Sequence, residues 1–258
     1  MNYVSAHDNQ TLWDISQLKL AKTSTTANRV RMHNLALDTV LLGQGVPFLH
    51  LGDDLLRSKS EDKNSYDSGD WFNRVDWSGA TSAWKTGLPP AGDNQANWPL
   101  ILGFFALPEA AAGPAHISSA SAHVQEMLRV RKSSPLFRLR SGADVKKRVD
   151  YLNGGAGQVP GLIVMTVTDG ACAGADLDPA RDAIVIIVNA DKVAHDFTIA
   201  GATGFTLHPL LQSSVDPVVR TSTFAAGTFT VPARTTAVFE QLQGGTRGTG
   251  LACNTHPH

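Results

Sequence analysis

The chain has 258 residues, of which 42% are hydrophobic and 17% are charged, and its formal net charge is −1 at pH 7. A chain of this length can form one large domain or two modest ones. The near-neutral balance leaves no basic field for a nucleic-acid backbone, and no apolar run approaches the roughly 18 residues of a membrane span, so we expect neither a nucleic-acid nor a membrane partner.

The N-terminal part of the chain has the pattern of a parallel βαβ unit. Residues 2–6 form a short apolar run that predicts a strand. Between residues 29 and 43, apolar side chains recur at helical spacing and end at a glycine, which predicts a buried helix. Residues 46–51 follow as an apolar run of strand length. Strand, helix and strand at this spacing indicate a parallel sheet that needs helices on its faces.

A long loop and a second helix follow in the sequence. Residues 52–113 are punctuated by Gly, Pro, Asn, Asp and Ser, and loops of this length inside a compact domain are usually functional. Residues 117–132 resume the helical spacing of apolar side chains, and the segment Ser133-Ser-Pro135 ends it.

Beyond residue 137 the sequence is typical of an antiparallel β-sandwich. Short runs rich in β-branched residues are separated by turn signals such as Asn153-Gly-Gly and Asp169-Gly. The predicted strands cover residues 162–168, 183–188, 195–199, 204–207, 228–231 and 235–239. We therefore place a first domain at residues 1–137 and a second at residues 138–242. Residues 243–258 show no periodicity, which predicts a disordered tail.

A His-Asp pair, His7-Asp8, stands where the first predicted strand ends. In (β/α)₈ barrels the catalytic groups lie at the carboxyl ends of the strands, on the loops that lead to the next helix. The pair therefore indicates a reactive site near the start of the chain. The alternative is an ordinary surface turn, because the sequence Asp-Asn is common turn chemistry.

Several motifs together carry a family resemblance. Val4-Ser-Ala-His-Asp-Asn9 and Gly45-Val-Pro47 are short, whereas the stretch from Arg57 to Asn73 is long and specific. Three later segments extend the match, at residues 133–138, 160–165 and 232–239. The sequence resembles the pullulanase and limit dextrinase branch of the α-amylase superfamily. These enzymes hydrolyse α-1,6 branch linkages in pullulan and starch-derived dextrins by a retaining mechanism.

The resemblance implies an α/β plus all-β fold. Residues 1–137 would be the C-terminal part of a catalytic (β/α)₈ barrel, with residues 2–6 and 46–51 as strands seven and eight, and residues 138–242 would be the C-terminal β-sandwich. A complete barrel needs roughly 250 residues. The expected partner is therefore the missing N-terminal part of the same enzyme, since Met1 falls inside a strand motif where a natural start is not expected.

The resemblance assigns catalytic roles to His7 and Asp8. Asp8 would be the carboxylate that stabilises the oxocarbenium-like transition state, and His7 would hydrogen-bond the same sugar. Asn9 would be a further substrate contact, unless it only forms the turn. A retaining glycosidase also needs a nucleophile and an acid about 5 Å apart, which in the family stand upstream. The chain has four glutamates, Glu61, Glu109, Glu126 and Glu240, and none has the position of this acid. The isolated chain is therefore expected to be inactive.

The long loop is expected to supply contacts to an α-glucan such as pullulan or a branched dextrin. Aromatic faces cover the apolar faces of glucose, while carboxylates and amides bind its hydroxyls. The expected substrate contacts are Arg57, Tyr66, Asp70, Asn73 and Asp93. An ordered loop this long needs anchors. We therefore favour the alternative that three aromatic residues form the loop's own core: Trp71, Phe72 and Trp98.

Other classes of function have less support in the sequence. Gly-x-Ser-x-Gly, His-Glu-x-x-His and phosphate-loop motifs do not occur. The competing hypothesis is a non-catalytic α-glucan-binding or structural fragment. Cys172 and Cys253 are too few for a disulfide framework and lack metal-site spacing, so we expect two unrelated thiols, no metal and no cofactor. No secretory signal is expected on the chain as given, and its compartment stays open.

Overall fold

The computed structural model describes residues 1–254, and within them the chain forms eight α-helices and eight β-strands. The helices are α1 (Leu12–Lys19), α2 (Thr26–Leu42), α3 (Asp70–Asn73), α4 (Ala91–Asn94), α5 (Trp98–Phe105), α6 (Pro114–Lys132), α7 (Gly142–Arg148) and α8 (Pro209–Gln212). The strands are β1 (Val149–Tyr151), β2 (Leu162–Thr168), β3 (Arg181–Asn189), β4 (His195–Thr198), β5 (Phe205–Leu207), β6 (Thr223–Ala225), β7 (Thr228–Val231) and β8 (Thr235–Leu242). Short 3-10 turns cover Asp53–Leu55, Ser65–Asp67, Gln95–Asn97, Pro108–Ala110, Pro135–Arg138, Ala171–Ala173 and Val219–Thr221.

The chain divides into two compact units by its internal packing. One unit contains Met1–Val40 and Pro47–Gln125, and the other contains Leu41–Val46 and the chain from Glu126 onward. The helices predicted at residues 29–43 and 117–132 are confirmed as α2 and α6, each beginning three residues earlier than expected. The domain boundaries predicted at residues 137 and 242 stay predictions.

The first unit is held together by α1, α2 and the long loop. α1 begins at Leu12, because the Thr11 hydroxyl accepts a hydrogen bond from the Asp14 amide at 3.2 Å and so caps the helix. Arg29 on α2 is fully buried, and its guanidinium donates to the Gln17 side chain at 2.8 Å. A hydrophobic cluster of this unit contains five buried residues: Trp13, Val30, Leu56, Ile117 and Ala120.

The second unit contains two antiparallel sheets. One has the strand order β1-β2-β3-β8-β5, and the other has the order β4-β7-β6. Strand β3 is apolar throughout its centre and is buried between two long partners, in register with β2 and β8. The sheets contact each other through phenylalanine rings. The ring centroid of Phe229 on β7 lies 5.3 Å from that of Phe205 on β5 and 5.0 Å from that of Phe239 on β8.

The antiparallel prediction for this part of the chain is confirmed. All six predicted strands are present, with ends that shift by at most three residues. Two further strands of three residues each, β1 and β6, were not predicted.

The segments predicted as strands at residues 2–6 and 46–51 do not form strands among the described residues, and their place in a barrel stays a prediction. Residues 2–6 and 46–51 meet only at one parallel bridge between Asn2 and Pro47, where the Phe48 amide donates to the Asn2 carbonyl at 2.9 Å. A parallel pair needs further strands and covering helices to be stable. The described residues contain no neighbouring strand that could extend this pairing.

The C-terminal segment also differs from its prediction. Residues 243–254, expected to be disordered, form hydrogen bonds with other residues of the second unit: the Gly248 amide donates to Asp182 at 2.9 Å, and the Thr168 hydroxyl donates to the Leu251 carbonyl at 2.8 Å. Cys172 and Cys253 form a disulfide with Cα atoms 6.0 Å apart, so the expectation of two unrelated thiols is wrong. Residues 255–258 of the predicted tail lie outside the described residues.

Among residues 1–254 no single helix is long and apolar enough to cross a membrane. One pair, Ala91–Phe105 with Pro108–Lys132, passes a test of length and composition only when its two members are taken together, and it is bent by 102°.

Candidate functional site

The His7-Asp8 pair projects from the first unit. The His7 Nε2 and an oxygen of Asp8 lie 3.4 Å apart, and their side chains are 86% and 79% exposed. Asn9 follows with a φ of 61°, in the left-handed region that asparagine tolerates better than most residues. The three side chains predicted to contact the sugar therefore follow one another at a turn, and the imidazole and carboxylate are both free to meet a ligand.

Asp53 anchors the segment in front of this pair. The Ser5 hydroxyl donates to the Asp53 carboxylate at 2.9 Å, and the His50 amide donates to it at 3.1 Å. Burial raises the pKa of Asp53 to about 6, although both hydrogen bonds favour the charged form. Asp53 thus fixes the chain two residues before His7.

A second anchor comes from Lys59, which the sequence analysis missed. Its ammonium donates to the His7 carbonyl oxygen at 3.1 Å, and the residue is buried. Asp14 on α1 lies nearby and accepts from the Lys59 amide at 2.8 Å. The signal that could have located α1 is the spacing of Thr11 and Asp14, a helix-start pattern of a hydroxyl followed three residues later by an acid.

Two carboxyl groups are buried beneath this segment. Burial raises the pKa of Asp14 to about 6, against the opposing effect of hydrogen bonds from Ser58, Lys59 and Glu61. Burial and the charge of Asp14 raise the pKa of Glu61 to about 9. Burial thus disfavours the charged form of both carboxyl groups, and Glu61 is disfavoured further by the charge of Asp14.

Arg57, a predicted substrate contact, is buried and holds the loop. Its guanidinium donates to the carbonyl oxygens of Leu51 at 3.2 Å, Asn73 at 2.7 Å and Arg74 at 3.3 Å. Gly52 makes room for it, because a Cβ atom there would lie 2.7 Å from the Arg57 Cβ, and its φ is +89°. The observed role is to close the loop, and a substrate contact stays a prediction.

The other predicted substrate contacts lie at different depths in the loop. Tyr66 is 87% exposed, and Asp70 is exposed in the first turn of α3. Asp93 is exposed and accepts a hydrogen bond from the Asn64 amide. Asn73 uses its amide inside the loop, where it donates to the Ser65 carbonyl at 2.6 Å and accepts from the Ser65 hydroxyl at 2.9 Å. Tyr66, Asp70 and Asp93 therefore keep faces that a ligand can reach.

The aromatic residues of the loop divide into anchors and exposed rings. Phe72 is buried, and the Trp98 indole donates to the Pro89 carbonyl at 2.9 Å, as expected for anchors. Trp71 is 57% exposed and stacks against the Arg74 guanidinium, so the expectation that it belongs to the loop's core is wrong. Trp77 is exposed as well.

The glutamates serve structural contacts. Glu109 accepts from the Thr26 amide at 2.7 Å and caps α2, and Glu240 accepts from Arg181 at 2.6 Å. The Ser214 hydroxyl donates to Glu126 at 2.8 Å, and Glu61 is buried with Asp14. In the described residues no group of three His, Cys, Asp or Glu side chains has a metal-binding arrangement.

The family comparison identifies the C-terminal family to which the chain belongs. Residues 79–242 match the family model described as alpha-1,6-glucosidases, pullulanase-type, C-terminal. The chain is 42% identical to Pullulanase 1, chloroplastic, of Arabidopsis thaliana over 252 residues, which are 95% of this chain and 26% of that protein. It is also 42% identical to the pullulanase of Klebsiella pneumoniae over 253 residues, which are 97% of this chain and 23% of that protein.

Solved structures give the same relationship. The crystal structure of PulA from Klebsiella oxytoca matches with a TM-score of 0.94 and 43% identity, covering 100% of this chain and 24% of that one. A maltotriose complex of PulA from Klebsiella pneumoniae matches with a TM-score of 0.90 and 42% identity, covering 97% of this chain and 27% of that one. The chain spans about a quarter of the length of these relatives. It belongs to the family of pullulanase-type alpha-1,6-glucosidase C-terminal regions.

Proposed function

We propose that this chain is the C-terminal part of a starch-debranching glycoside hydrolase that cleaves α-1,6-glucosidic linkages in pullulan, amylopectin and limit dextrins. The observation that carries the proposal is the exposed His7-Asp8 pair at the end of a segment anchored by buried groups. A carboxylate in this position can stabilise positive charge that develops on a sugar ring.

In this proposal residues 2–6 and 46–51 pair with further strands to complete a (β/α)₈ barrel. The single parallel bridge between Asn2 and Pro47 supports this, because it has the direction of adjacent barrel strands. Exposed apolar side chains at the same place would be covered by the added strands: Tyr3, Val46, Phe48 and Leu51. The nucleophile and the acid would stand on the part of the barrel that precedes residue 1.

The substrate would be an α-glucan. A relative from Klebsiella pneumoniae has been solved with maltotriose bound, which supports a glucan for this chain. Asp8 and His7 would bind hydroxyls of the sugar at the cleaved bond, with Asn9 beside them. The exposed side chains of Tyr66, Asp70 and Asp93 would extend the binding surface, with Arg57 and Asn73 shaping the loop that carries them.

A chimera tests the proposal. Residues 1–254 replace the matching C-terminal quarter of the Klebsiella pneumoniae pullulanase, and the release of maltotriose from pullulan is measured. We expect turnover in the chimera and none from the 258-residue chain alone, because cleavage needs both carboxyl groups that the chain lacks. Within the chimera, Asp8→Asn should lower kcat by about 10³-fold.

The control is Asp67→Asn, which removes another exposed carboxylate of the same unit. It should leave kcat within about twofold of the parent chimera, since exposed groups away from the reacting bond contribute little. Near-normal turnover of Asp8→Asn would assign that residue a structural role. A folded chimera that binds glucan without cleaving it would favour the competing hypothesis of a non-catalytic binding fragment.

A further inference from the structure

The loop at residues 56–61 adopts backbone conformations that L-residues usually avoid. Leu56, Ser60 and Glu61 have φ values of 54°, 56° and 66°. Such a conformation is strained and persists only where the surrounding structure over-determines it. Three of them within six residues mark a segment whose shape is enforced by its contacts.

Asp14 supplies three contacts to this loop. Its carboxylate accepts hydrogen bonds from the Ser58 hydroxyl at 2.5 Å, the Lys59 amide at 2.8 Å and the Glu61 amide at 3.3 Å. Asp14 is itself fixed, because it lies in the first turn of α1 next to Trp13, which is fully buried in the core. The loop is therefore tied to a rigid helix through one carboxylate.

Lys59 carries this rigidity to the exposed pair. Its backbone is held by Asp14, and its ammonium reaches the His7 carbonyl oxygen at 3.1 Å. Burial lowers the pKa of Lys59, while the carboxylates of Asp62, Asp14 and Asp8 raise it. The charge of the buried ammonium is thus balanced by two buried acids and by the exposed Asp8.

We infer that Lys59 is a positioning residue for the His7-Asp8 pair and that Asp14 fixes Lys59 in turn. The inference rests on the proposed function for its catalytic meaning, but the positioning itself is a property of this chain. Ser5 and Asp53 hold the segment before His7, and Lys59 holds His7 itself. The two ties leave the side chain of Asp8 exposed while its backbone is constrained.

The positioning is tested on the 258-residue chain by ¹⁵N relaxation of the backbone amides of Ala6 to Asn9. We expect wild-type order parameters near 0.85, as in rigid backbone, and values below about 0.6 in Lys59→Met, which keeps the apolar stem and removes the donor. Lys19→Met is the control, since Lys19 is exposed on the same helix as Asp14, and it should leave these values unchanged.

Rescue separates the ammonium from mere packing. Lys59→Cys is alkylated with 2-bromoethylamine in denaturant, with the Cys172–Cys253 disulfide intact, and refolded; this restores an ammonium at nearly the same reach. Order parameters should return to the wild-type range. If Lys59→Met does not fold, Lys59→Gln is the second variant, and its shorter amide should give the same loss. Unchanged order parameters at His7 and Asp8 in a folded variant would overturn the inference.

The catalytic meaning is tested in the chimera. Lys59→Met should lower kcat by about 10²-fold with KM unchanged, as expected when a group needed in the transition state is misplaced, and Lys19→Met should leave both constants unchanged. Full kcat in Lys59→Met beside an inactive Asp8→Asn would refute the positioning role alone. Full kcat in Asp8→Asn would refute the proposed function and leave the order-parameter result standing.

Discussion

The ring Nε2 of His33 donates a hydrogen bond to the backbone carbonyl oxygen of Asp53 at 2.7 Å. A carbonyl can only accept, so Nε2 carries the proton in this contact. The carboxylate of the same Asp53 accepts from Ser5. One residue thus links the buried middle of α2 to the segment that precedes His7, and the Nε2 proton that makes the link is present in the neutral and in the charged ring.

Acid should destabilise the fold around His33, because burial opposes the charged ring although the hydrogen bond to Asp53 favours it. Burial lowers the pKa of His33 to about 4, against about 6.5 in the unfolded chain. The neutral ring therefore contributes fully above pH 6.5, and the contribution is lost as the pH falls from 6.5 through 4, up to about 3 kcal/mol. We expect His33→Gln, which keeps a donor at the position of Nε2, to flatten the pH dependence of the free energy of unfolding over this range.

The measurement is urea unfolding at pH 7 and pH 4.5 for both proteins. Comparing the difference between wild type and variant at each pH removes the contributions of Asp14 and Asp53, whose raised pKa values act in both. Equal losses in wild type and variant on acidification would show that His33 does not titrate in this range.

Glu61 should have the opposite pH dependence. Its folded pKa of about 9 lies above the unfolded value of 4.5, so the contribution of the neutral acid is complete below pH 4.5 and is lost as the pH rises toward 9. Glu61→Gln removes this loss, and we expect it to raise the free energy of unfolding at pH 8 by on the order of 2 kcal/mol.

At pH 4 the same variant should be no more stable than wild type, since both side chains are then uncharged. The control is Glu109→Gln, which alters a carboxylate that caps α2 instead of one buried beside a second acid, and which should lower stability at pH 8. A gain for Glu61→Gln that is equal at pH 4 and pH 8 would mean that packing, and not charge, causes it.

The sheets of the second unit could be predicted from sequence because each strand alternates or is continuously apolar between turn residues. β2 and β7 were predicted with their bounds as they stand, since Gly161 and Gly227 immediately precede them. α1 was missed because its eight residues carry only a short apolar pattern. With it, the position of Asp14 was missed.

The site could be predicted only where a local motif carries it. His7 and Asp8 are adjacent in sequence, so the pair can be recognised as a motif. Lys59 contacts His7 across 52 residues, and no sequence pattern predicts that contact. The disulfide escaped for the same reason, since Cys172 and Cys253 are 81 residues apart. Arg57 had the composition of a ligand contact, but burial directs its donors to three backbone carbonyls.

The disulfide should stabilise the second unit. Cys172 and Cys253 close a loop of about 80 residues. The chain-entropy model predicts about 4.5 kcal/mol for such a loop, and disulfides typically contribute about 2–4 kcal/mol. We expect the double variant Cys172→Ser with Cys253→Ser to lose that much in urea unfolding without reductant. Wild type in dithiothreitol should match it, and dithiothreitol should not affect the double variant. No difference between oxidised and reduced wild type would contradict the prediction.

Adding one methyl group at residue 170 should displace the C-terminal segment. Gly170 has a φ of −65°, which any residue can adopt, so Gly170→Ala adds no backbone strain. The new Cβ would collide with the Thr249 carbonyl oxygen and lie 2.5 Å from the Gly250 nitrogen, and backbone atoms cannot turn aside as a side chain could. The segment should therefore leave its place, with loss of the hydrogen bond that the Ala171 amide donates to the Gly248 carbonyl.

Amide hydrogen exchange measures this displacement directly. In Gly170→Ala the amides of Ala171 and Gly248 should exchange at least tenfold faster, while those of β3 keep their protection, because the sheet does not depend on the segment for its pairing. Gly157→Ala is the matched control, since a Cβ there meets no atom within 4 Å. If the two amides stay protected in Gly170→Ala, the segment does not pack against residue 170 in solution.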